Sequence, residues 1–256
     1  MLSLRLDLFL VQQKLATSRT QAQDFISNGF VYLVLDEKKQ MLSKSSFVVK
    51  ESDKIVVVTN DLQKFVSRAG LKLEGALKQL NLSVKDKVVL DVGQSTGGFT
   101  DCLLHYGAKQ VVGIDVGHSQ LHEKIAKDPR VESFENLNVK ELAVNTAFSK
   151  AVPSNGFDLL VVDVSFISLT KVIPSLFNLI SEGSEYLILV KPQFECGREN
   201  LDSNGIVKGE KIYLDIEVEI KKTAEQYFEN VKAYFESSIL GKDGNREFFI
   251  YGRKAR

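Results

Sequence analysis

The chain has 256 residues, 44% of them hydrophobic and 26% charged, with 33 Lys/Arg against 33 Asp/Glu and a formal net charge of zero. This is enough apolar material for one large domain, or a smaller one with an appendage, and the neutral balance excludes nucleic-acid binding through a global field, leaving only local patches. No apolar run approaches the ~20 residues of a membrane helix, the start "MLSLRLDLFLVQQK" lacks a signal peptide's apolar centre and cleavage site, and Cys102 and Cys196 are too few for a disulfide scaffold, so the cytoplasm is the expected compartment.

Residues 1–60 read as a small α+β unit. Leu4, Leu8, Val11 and Leu15 fall near helical spacing. A second helix is expected over "TSRTQAQDFISNG", N-capped by Thr17 or Ser18 and C-capped by Gly29. Short β runs follow in "FVYLVL", "SFVV" and "KIVVV". Residues 61–80 read as a linker and an introductory helix. Residues 81–256 alternate strand signals (87–92, 110–115, 131–134, 157–164, 185–191) with helix signals (98–107, 118–127, 168–181, 209–228). Continuous Val/Leu/Ile runs imply strands buried on both faces, and the alternation implies a doubly wound, mostly parallel α/β sheet of Rossmann-like type. In the tail, "VKAYFESSIL" and "REFFIYG" flank the turn "KDGN", which predicts a C-terminal antiparallel hairpin.

The chemistry starts at "LDVGQSTGGFT", Leu90–Thr100. A phosphate loop fails because Phe99 stands where the lysine belongs, and a dinucleotide turn fails because Ser95 replaces the second glycine. What remains is acid-x-Gly-x-x-x-Gly through Asp91, Gly93 and Gly97, which suits a ligand with a ribose, an amino-acid end and no phosphate. Asp115 ends the second strand, where an acid bonds ribose hydroxyls, and Asn138 follows the third, where an adenine edge would lie. Together they point to S-adenosylmethionine, the alternative being another nucleotide or none. Asp163 and Lys191 end the fourth and fifth strands on the same edge. Burial and a nearby lysine are expected to lower the Lys191 pKa, with Asp163 opposing that shift. The pair then orients a hydroxyl and accepts its proton, or is a structural ion pair. Phe194 offers a face for a base, or packs. Cys102, His105, His118 and His122 approach zinc-finger spacing, but a helix and a strand separate them and no metal is expected.

The blocks "SRAGLKLEGAL", "LDVGQSTGGFTDCLL", "GIDVGHSQL", "DPRV", "DVSFISL", "LVKPQFE" and "GNREFF" run in order through most of residues 67–251. In them the chain resembles the TlyA family, the haemolysin A-type ribosomal RNA 2′-O-methyltransferases. The resemblance implies an FtsJ-type S-adenosylmethionine-dependent domain and a Lys-Asp-Lys-Glu tetrad at Lys72, Asp163, Lys191 and Glu247. It also implies cofactor contacts at Asp91, Gly93, Ser95, Thr96, Gly97, Gly98, Asp115 and Asn138. The implied acceptor is a cytidine ribose in ribosomal RNA or a ribosomal subunit, with large-subunit rRNA favoured over small-subunit rRNA. Gln94 departs from the pattern, standing where a small residue is expected.

Residues 1–60 resemble the S-four-type RNA-binding domain, with Arg5, Ser18, Arg19 and Gly29 at its familiar places, while "VLDEKKQ" replaces the usual "VNG" turn. Arg5, Ser18, Arg19, Arg68 and Phe194 are the expected RNA contacts. Two other readings stand beside the enzyme. A membrane-lytic protein, as the haemolysin name implies, needs an amphipathic or spanning segment, for which only residues 2–15 offer themselves. A non-catalytic RNA-binding protein leaves the Lys and Asp at the strand ends without a purpose. "DVSF", in place of an Asn/Asp-Pro-Pro-aromatic run, favours the ribose over the base.

Overall fold

The structure is a computed structural model and describes residues 4–16, 18–27, 29–35, 38–50, 52–58, 64–241 and 244–255. The N-terminal part runs β1 (Leu4–Arg5), α1 (Leu6–Gln12), α2 (Arg19–Ser27), β2 (Val31–Leu35), β3 (Lys38–Met41), β4 (Val48–Val49) and β5 (Lys54–Val57). β2 is the centre of a three-stranded antiparallel sheet in the order β3-β2-β5, and β1 pairs with β4. Leu6, Leu10, Ala22, Ile26, Val31 and Leu33 form its core.

Two expectations for this part are corrected. The helix starts at Leu6, after an extended Arg5, so its buried side is Leu6 and Leu10, and Leu8 is exposed. The stretch "VLDEKKQ" is not only a turn, because Lys38–Met41 pairs with β2 as a strand. Gly29 closes α2 with φ +70, Phe30 N–H reaching back to the Phe25 carbonyl at 2.9 Å. The proposed cap Thr17, the first linker residues 61–63, and Lys242 and Asp243 of the hairpin turn lie outside the described residues.

Among the described residues, Asp7 is the one buried acid of this part. Its carboxylate is fully buried and accepts from Arg19 Nε at 2.9 Å, Gln23 Nε2 at 3.1 Å and Arg5 Nε at 3.1 Å. Burial alone would raise its pKa, but these donors outweigh it and hold the carboxyl far below the usual carboxylate range.

The larger part opens with α3 (Arg68–Leu80) and continues β6 (Val88–Val92), α4 (Gly98–His105), β7 (Gln110–Ile114), α5 (Glu123–Ala126), β8 (Val131–Phe134), α6 (Thr146–Ala151), β9 (Phe157–Val162), α7 (Leu169–Leu176), β10 (Ile180–Val190), α8 (Pro192–Glu195), α9 (Glu210–Phe228), β11 (Glu229–Glu236) and β12 (Phe248–Lys254). The sheet order is β11-β12-β10-β9-β6-β7-β8. The strands from β10 to β8 are parallel, and β12 and β11 add the expected antiparallel hairpin at one edge. The chain winds outward from β6 to β8, then crosses back to β9, so the topological switch lies between β6 and β9. Apolar clusters cover both faces of the sheet, as the unbroken Val/Leu/Ile runs predict.

Differences from the sequence reading are local. The helix expected over 118–127 is only Glu123–Ala126, because Ser119 takes φ +54 in the preceding turn. α7 ends at Leu176 in a 3-10 turn, and β10 begins five residues earlier than 185, with an irregular register between Ile180 and Glu185. Gly70 of α3 and Gly98 of α4 meet backbone to backbone. A Cβ on Gly70 would lie 2.8 Å from the Gly98 carbonyl oxygen, and one on Gly98 would lie 3.1 Å from the Gly70 nitrogen. This close approach draws α3 onto the end of the sheet that carries the glycine turn. Among the described residues no helix is long and apolar enough to cross a membrane.

Asp7→Ala is expected to destabilise the N-terminal part by about 1–2 kcal/mol, since it removes charge-assisted hydrogen bonds from donors that can still reach water. Hydrogen exchange should speed up across residues 6–57 and stay unchanged across 88–254. The wild-type contribution is present above the ordinary aspartate value of 3.8 and is lost as pH falls below it toward the depressed native value. Equal exchange in Asp7→Ala and the parent would show that the carboxylate contributes nothing.

Candidate active site

The strand register sets the site. Val92 pairs with Ile114 on one side and Val162 on the other, so Gly93, Asp115 and Asp163 leave the sheet at one level. Ile188 pairs with Val162 and Val190 with Phe248. Lys191 therefore ends β10 near that level. Because β12 is antiparallel, its start, rather than its end, lies beside Lys191, and this brings Glu247 to the same edge.

Two depressions meet there. One, of 580 Å³, is walled by Ile114, Leu137, Val139 and Val172, with Asp115 and Asn138 at its polar side. The other, of 360 Å³, holds Lys72, Lys191, Arg68, Thr96 and Gly98. Gly93, Ser95, Asp163 and Ser165 line both. The first has two acids and no Lys or Arg among its described lining residues, so a phosphate would be repelled and a cationic or neutral ligand favoured. The second carries the cations.

Glycine at 93 is obligatory. Its φ is +86, and a Cβ would lie 2.3 Å from the Asp163 carbonyl oxygen. Asp115 ties the turn to the next loop, accepting from Ser95 N–H at 2.8 Å and Gly117 N–H at 2.7 Å. Each of its oxygens keeps a lone pair for a ribose hydroxyl. Asn138 lines the apolar slot while its side chain accepts from Lys140 N–H at 3.0 Å. These features fit an adenosyl group with a sulfonium and an amino-acid end: an apolar slot for the base, a carboxylate for the ribose, and no phosphate grip.

Two expected cofactor contacts do not line either depression. Asp91 is fully buried beneath the turn, where its Oδ2 accepts from Thr100 Oγ1 at 2.6 Å, and Thr100 in turn accepts from Gln94 Nε2 at 2.9 Å. Asp91 Oδ1 has no partner. Burial, then the negative charges of Asp163 and Asp115, push its pKa up to about 7 against the Thr100 hydrogen bond. Gly97, at φ +89, packs against Leu121 and Ile125.

The four tetrad positions form two ion pairs, Lys191 Nζ to Asp163 at 2.6 Å and Lys72 Nζ to Glu247 at 2.5 Å. Lys191 also donates to Ser165 Oγ at 2.8 Å. Lys72 and Glu247 are buried, and Glu247 stands behind Lys72, outside the depression. The expected lowering of the Lys191 pKa is corrected. Burial does pull it down, but the Asp163 and Glu247 carboxylates more than offset that, and the net shift is upward. Asp163, which burial would raise, is drawn below its usual value by Lys191 and Lys72.

The loops after β9 and β10 are stitched together. Glu195 accepts from Leu169 N–H at 3.0 Å, and the Phe166 and Phe194 rings lie 4.9 Å apart. Phe194 is half-buried, and the exposed ring is Phe166, at φ +63. Sequence reasoning did not single out the apolar walls Ile114, Leu137, Val139 and Val172, nor Ser165 and Phe166, although the last two sit in the quoted "DVSF". Of the other expected RNA contacts, Arg5 and Arg19 are tied to Asp7 with half of each side chain exposed, and Ser18 is exposed. Arg68 sits between the two parts of the chain, donating to the Leu240 carbonyl at 3.1 Å. Cys102 is in the core, His105 meets Phe65 with the two rings perpendicular, and His122 accepts from Lys124 N–H; among the described residues no His/Cys/Asp/Glu group is placed to hold a metal.

A sequence profile of FtsJ-like methyltransferases matches residues 65–254, which takes in every group of this edge. The chain belongs to the FtsJ-like methyltransferase family. An S4-domain profile matches residues 4–33 of the methyltransferase. It is 41% identical to YqxC of Bacillus subtilis, named as an rRNA methyltransferase, over 96% of this chain and 84% of the other. It is 34% identical to the 16S/23S rRNA (cytidine-2′-O)-methyltransferase TlyA of Mycobacterium tuberculosis, over 97% of this chain and 89% of that one. A solved structure of a hemolysin-named protein from Streptococcus thermophilus superposes with a TM-score of 0.72 at 36% identity, covering 99% of this chain and 89% of that one.

The raised Asp91 pKa has a measurable consequence. The native methyltransferase holds a proton that the unfolded chain releases, so this contribution to stability is complete below the ordinary value of 3.8 and is lost as pH rises through about 7. Acidification from pH 8 to pH 6 is expected to gain about 1 kcal/mol from this group. Asp91→Asn should flatten that part of the melting-temperature profile; an unaltered profile would mean that Asp91 is ionised throughout.

Proposed function

We propose that the protein transfers a methyl group from S-adenosylmethionine to a cytidine 2′-hydroxyl of ribosomal RNA, in the cytoplasm, on free rRNA or on a ribosomal subunit, with large-subunit rRNA as the favoured target. The observation that carries this reading is the meeting of an acid-lined apolar slot with a lysine-bearing depression at Gly93, Ser95, Asp163 and Ser165. The names of the relatives support the same acceptor, and the S4 match supports RNA as the partner.

When bound, S-adenosylmethionine would supply an electrophilic methyl group on a sulfonium sulfur, with a neutral thioether as its leaving group. The protein's residues then have distinct tasks. Asp115 and Asn138 hold the adenosine, and the Gly93–Gly98 turn shapes the amino-acid end. Lys191 positions the 2′-oxygen and accepts its proton. To do so it must first lose its own proton, which Asp163 retains at rest; further positive charge in the cleft lowers the Lys191 pKa and favours that loss. Lys72, neutralised from behind by Glu247, faces the acceptor ribose and its phosphate. Much of the acceleration comes from alignment, because the hydroxyl must lie in line with the methyl–sulfur bond.

Lys191→Ala is expected to lower methyl transfer by about 10²–10⁴-fold, the range for a lost general base, with S-adenosylmethionine affinity by calorimetry close to wild type. In the wild type, transfer of tritiated methyl to rRNA should rise with pH above neutrality, because the raised Lys191 pKa leaves little free amine below it. Asp163→Asn removes the charge that raises that pKa and should move the rise to lower pH. Full activity in Lys191→Ala would refute its role.

A further inference from the structure

A third depression, of 880 Å³, opens between the three-stranded sheet, the loop at 203–206, residues 239–241 and Gly244. Its charged lining residues are Lys39, Lys44 and Arg68, with no acid among the described residues that form it. Tyr32 adds an aromatic face, and Gln40 and Asn204 add amides. Lys39 and Lys44 are exposed, and neither is in an ion pair with a described residue. β3 carries Lys39, and its register sets Lys39 opposite Val34 and Met41 opposite Tyr32, so Tyr32 and Lys39 share one face of the sheet. This strand begins within the stretch "VLDEKKQ" that replaces the usual shorter turn. Arg68 lines both this groove and the lysine-bearing depression at the strand ends, so the two are joined at one side chain.

Spaced cations with no ion-pair partner among the described residues, one stacking ring and amide groups are the chemistry of single-stranded RNA recognition. An acidic peptide would use the cations and leave the ring and amides idle. We propose that this groove carries the single-stranded RNA segment flanking the target nucleotide, with Lys39 and Lys44 on its phosphates. In a chain without net charge, such a local track is what remains to attract a polyanion. The proposal rests on the reading of the protein as an rRNA methyltransferase and names how that substrate is gripped.

The test is the double variant Lys39→Gln/Lys44→Gln in the full chain. Binding of rRNA transcripts is measured across a salt series without methyl donor, beside KM and kcat for methyl transfer. RNA affinity is expected to fall about tenfold at fixed salt, and the slope of log K against log salt to shrink by roughly 1.4, about 0.7 for each lost contact to a single strand. KM for RNA rises with it, while kcat, S-adenosylmethionine affinity and melting temperature hold. Lys39→Arg/Lys44→Arg should bind like wild type, and so should Lys109→Gln, an exposed lysine at the opposite end of the sheet. Unchanged RNA affinity and slope in the double variant, as an acidic-peptide occupant would give, overturn the proposal and leave the methyltransferase reading intact. A wild type that binds RNA through Lys39 and Lys44 but methylates nothing would overturn that reading and leave the groove.

Discussion

The site depends on one constraint, the common level at which β6, β7 and β9 end. Parallel pairing fixes neighbouring strands in register, so Gly93, Asp115 and Asp163 leave the sheet together without any contact being needed among them. The hairpin adds what parallel strands cannot. An antiparallel β12 presents its first residue at the carboxyl ends of its neighbours, and Glu247 thereby joins groups more than fifty positions earlier in the chain. Of the four paired groups only Lys72 arrives from outside the sheet, on α3, which the Gly70–Gly98 approach brings to this edge.

The charges on this edge are ordered rather than mixed. Asp115, Asp91 and Asp163 form an acidic run, and Lys191, Glu247 and Lys72 alternate beyond it. Two neutral pairs, Lys191–Asp163 and Lys72–Glu247, let four ionisable groups sit close together at a modest penalty, since each charge has a partner within 2.6 Å. The arrangement also gives each side of the edge a sign. On the proposed function, the carboxylate side would receive the cationic methyl donor and the amine side the polyanionic acceptor, with Asp163 at the boundary.

Most of the sheet was legible because buried parallel strands write themselves as unbroken apolar runs, and the strand ends pointed to Gly93, Asp115, Asp163 and Lys191. Lys72 and Glu247 came only from resemblance, since one depends on a helix crossing and the other on antiparallel register, and neither leaves a local period. Periodicity misjudged α1 because Asp7, a buried charge, occupies part of its inner side. Resemblance to the S-four-type domain suggested that Arg5 and Arg19 contact RNA; it could not show that Asp7 already claims one edge of each guanidinium. The sign of the Lys191 shift was misread for a similar reason, because burial was weighed without the short distance to Asp163 that reverses it.

Gln94 shows how a departure from a pattern is accommodated. A small residue is expected there, and the glutamine side chain turns inward and is almost wholly buried. The room comes from Gly113 on β7: a Cβ at that position would lie 2.1 Å from the Gln94 amide carbon. The amide then donates to Thr100, whose hydroxyl donates to Asp91. The bulk that would otherwise crowd the turn thus becomes a brace beneath it, linking the floor of the glycine loop to the first helix after it. Residue 94 and residue 113 are therefore one choice, made in the turn after β6 and on the neighbouring strand β7, and a side chain at 113 would force Gln94 into the cleft it now supports from below.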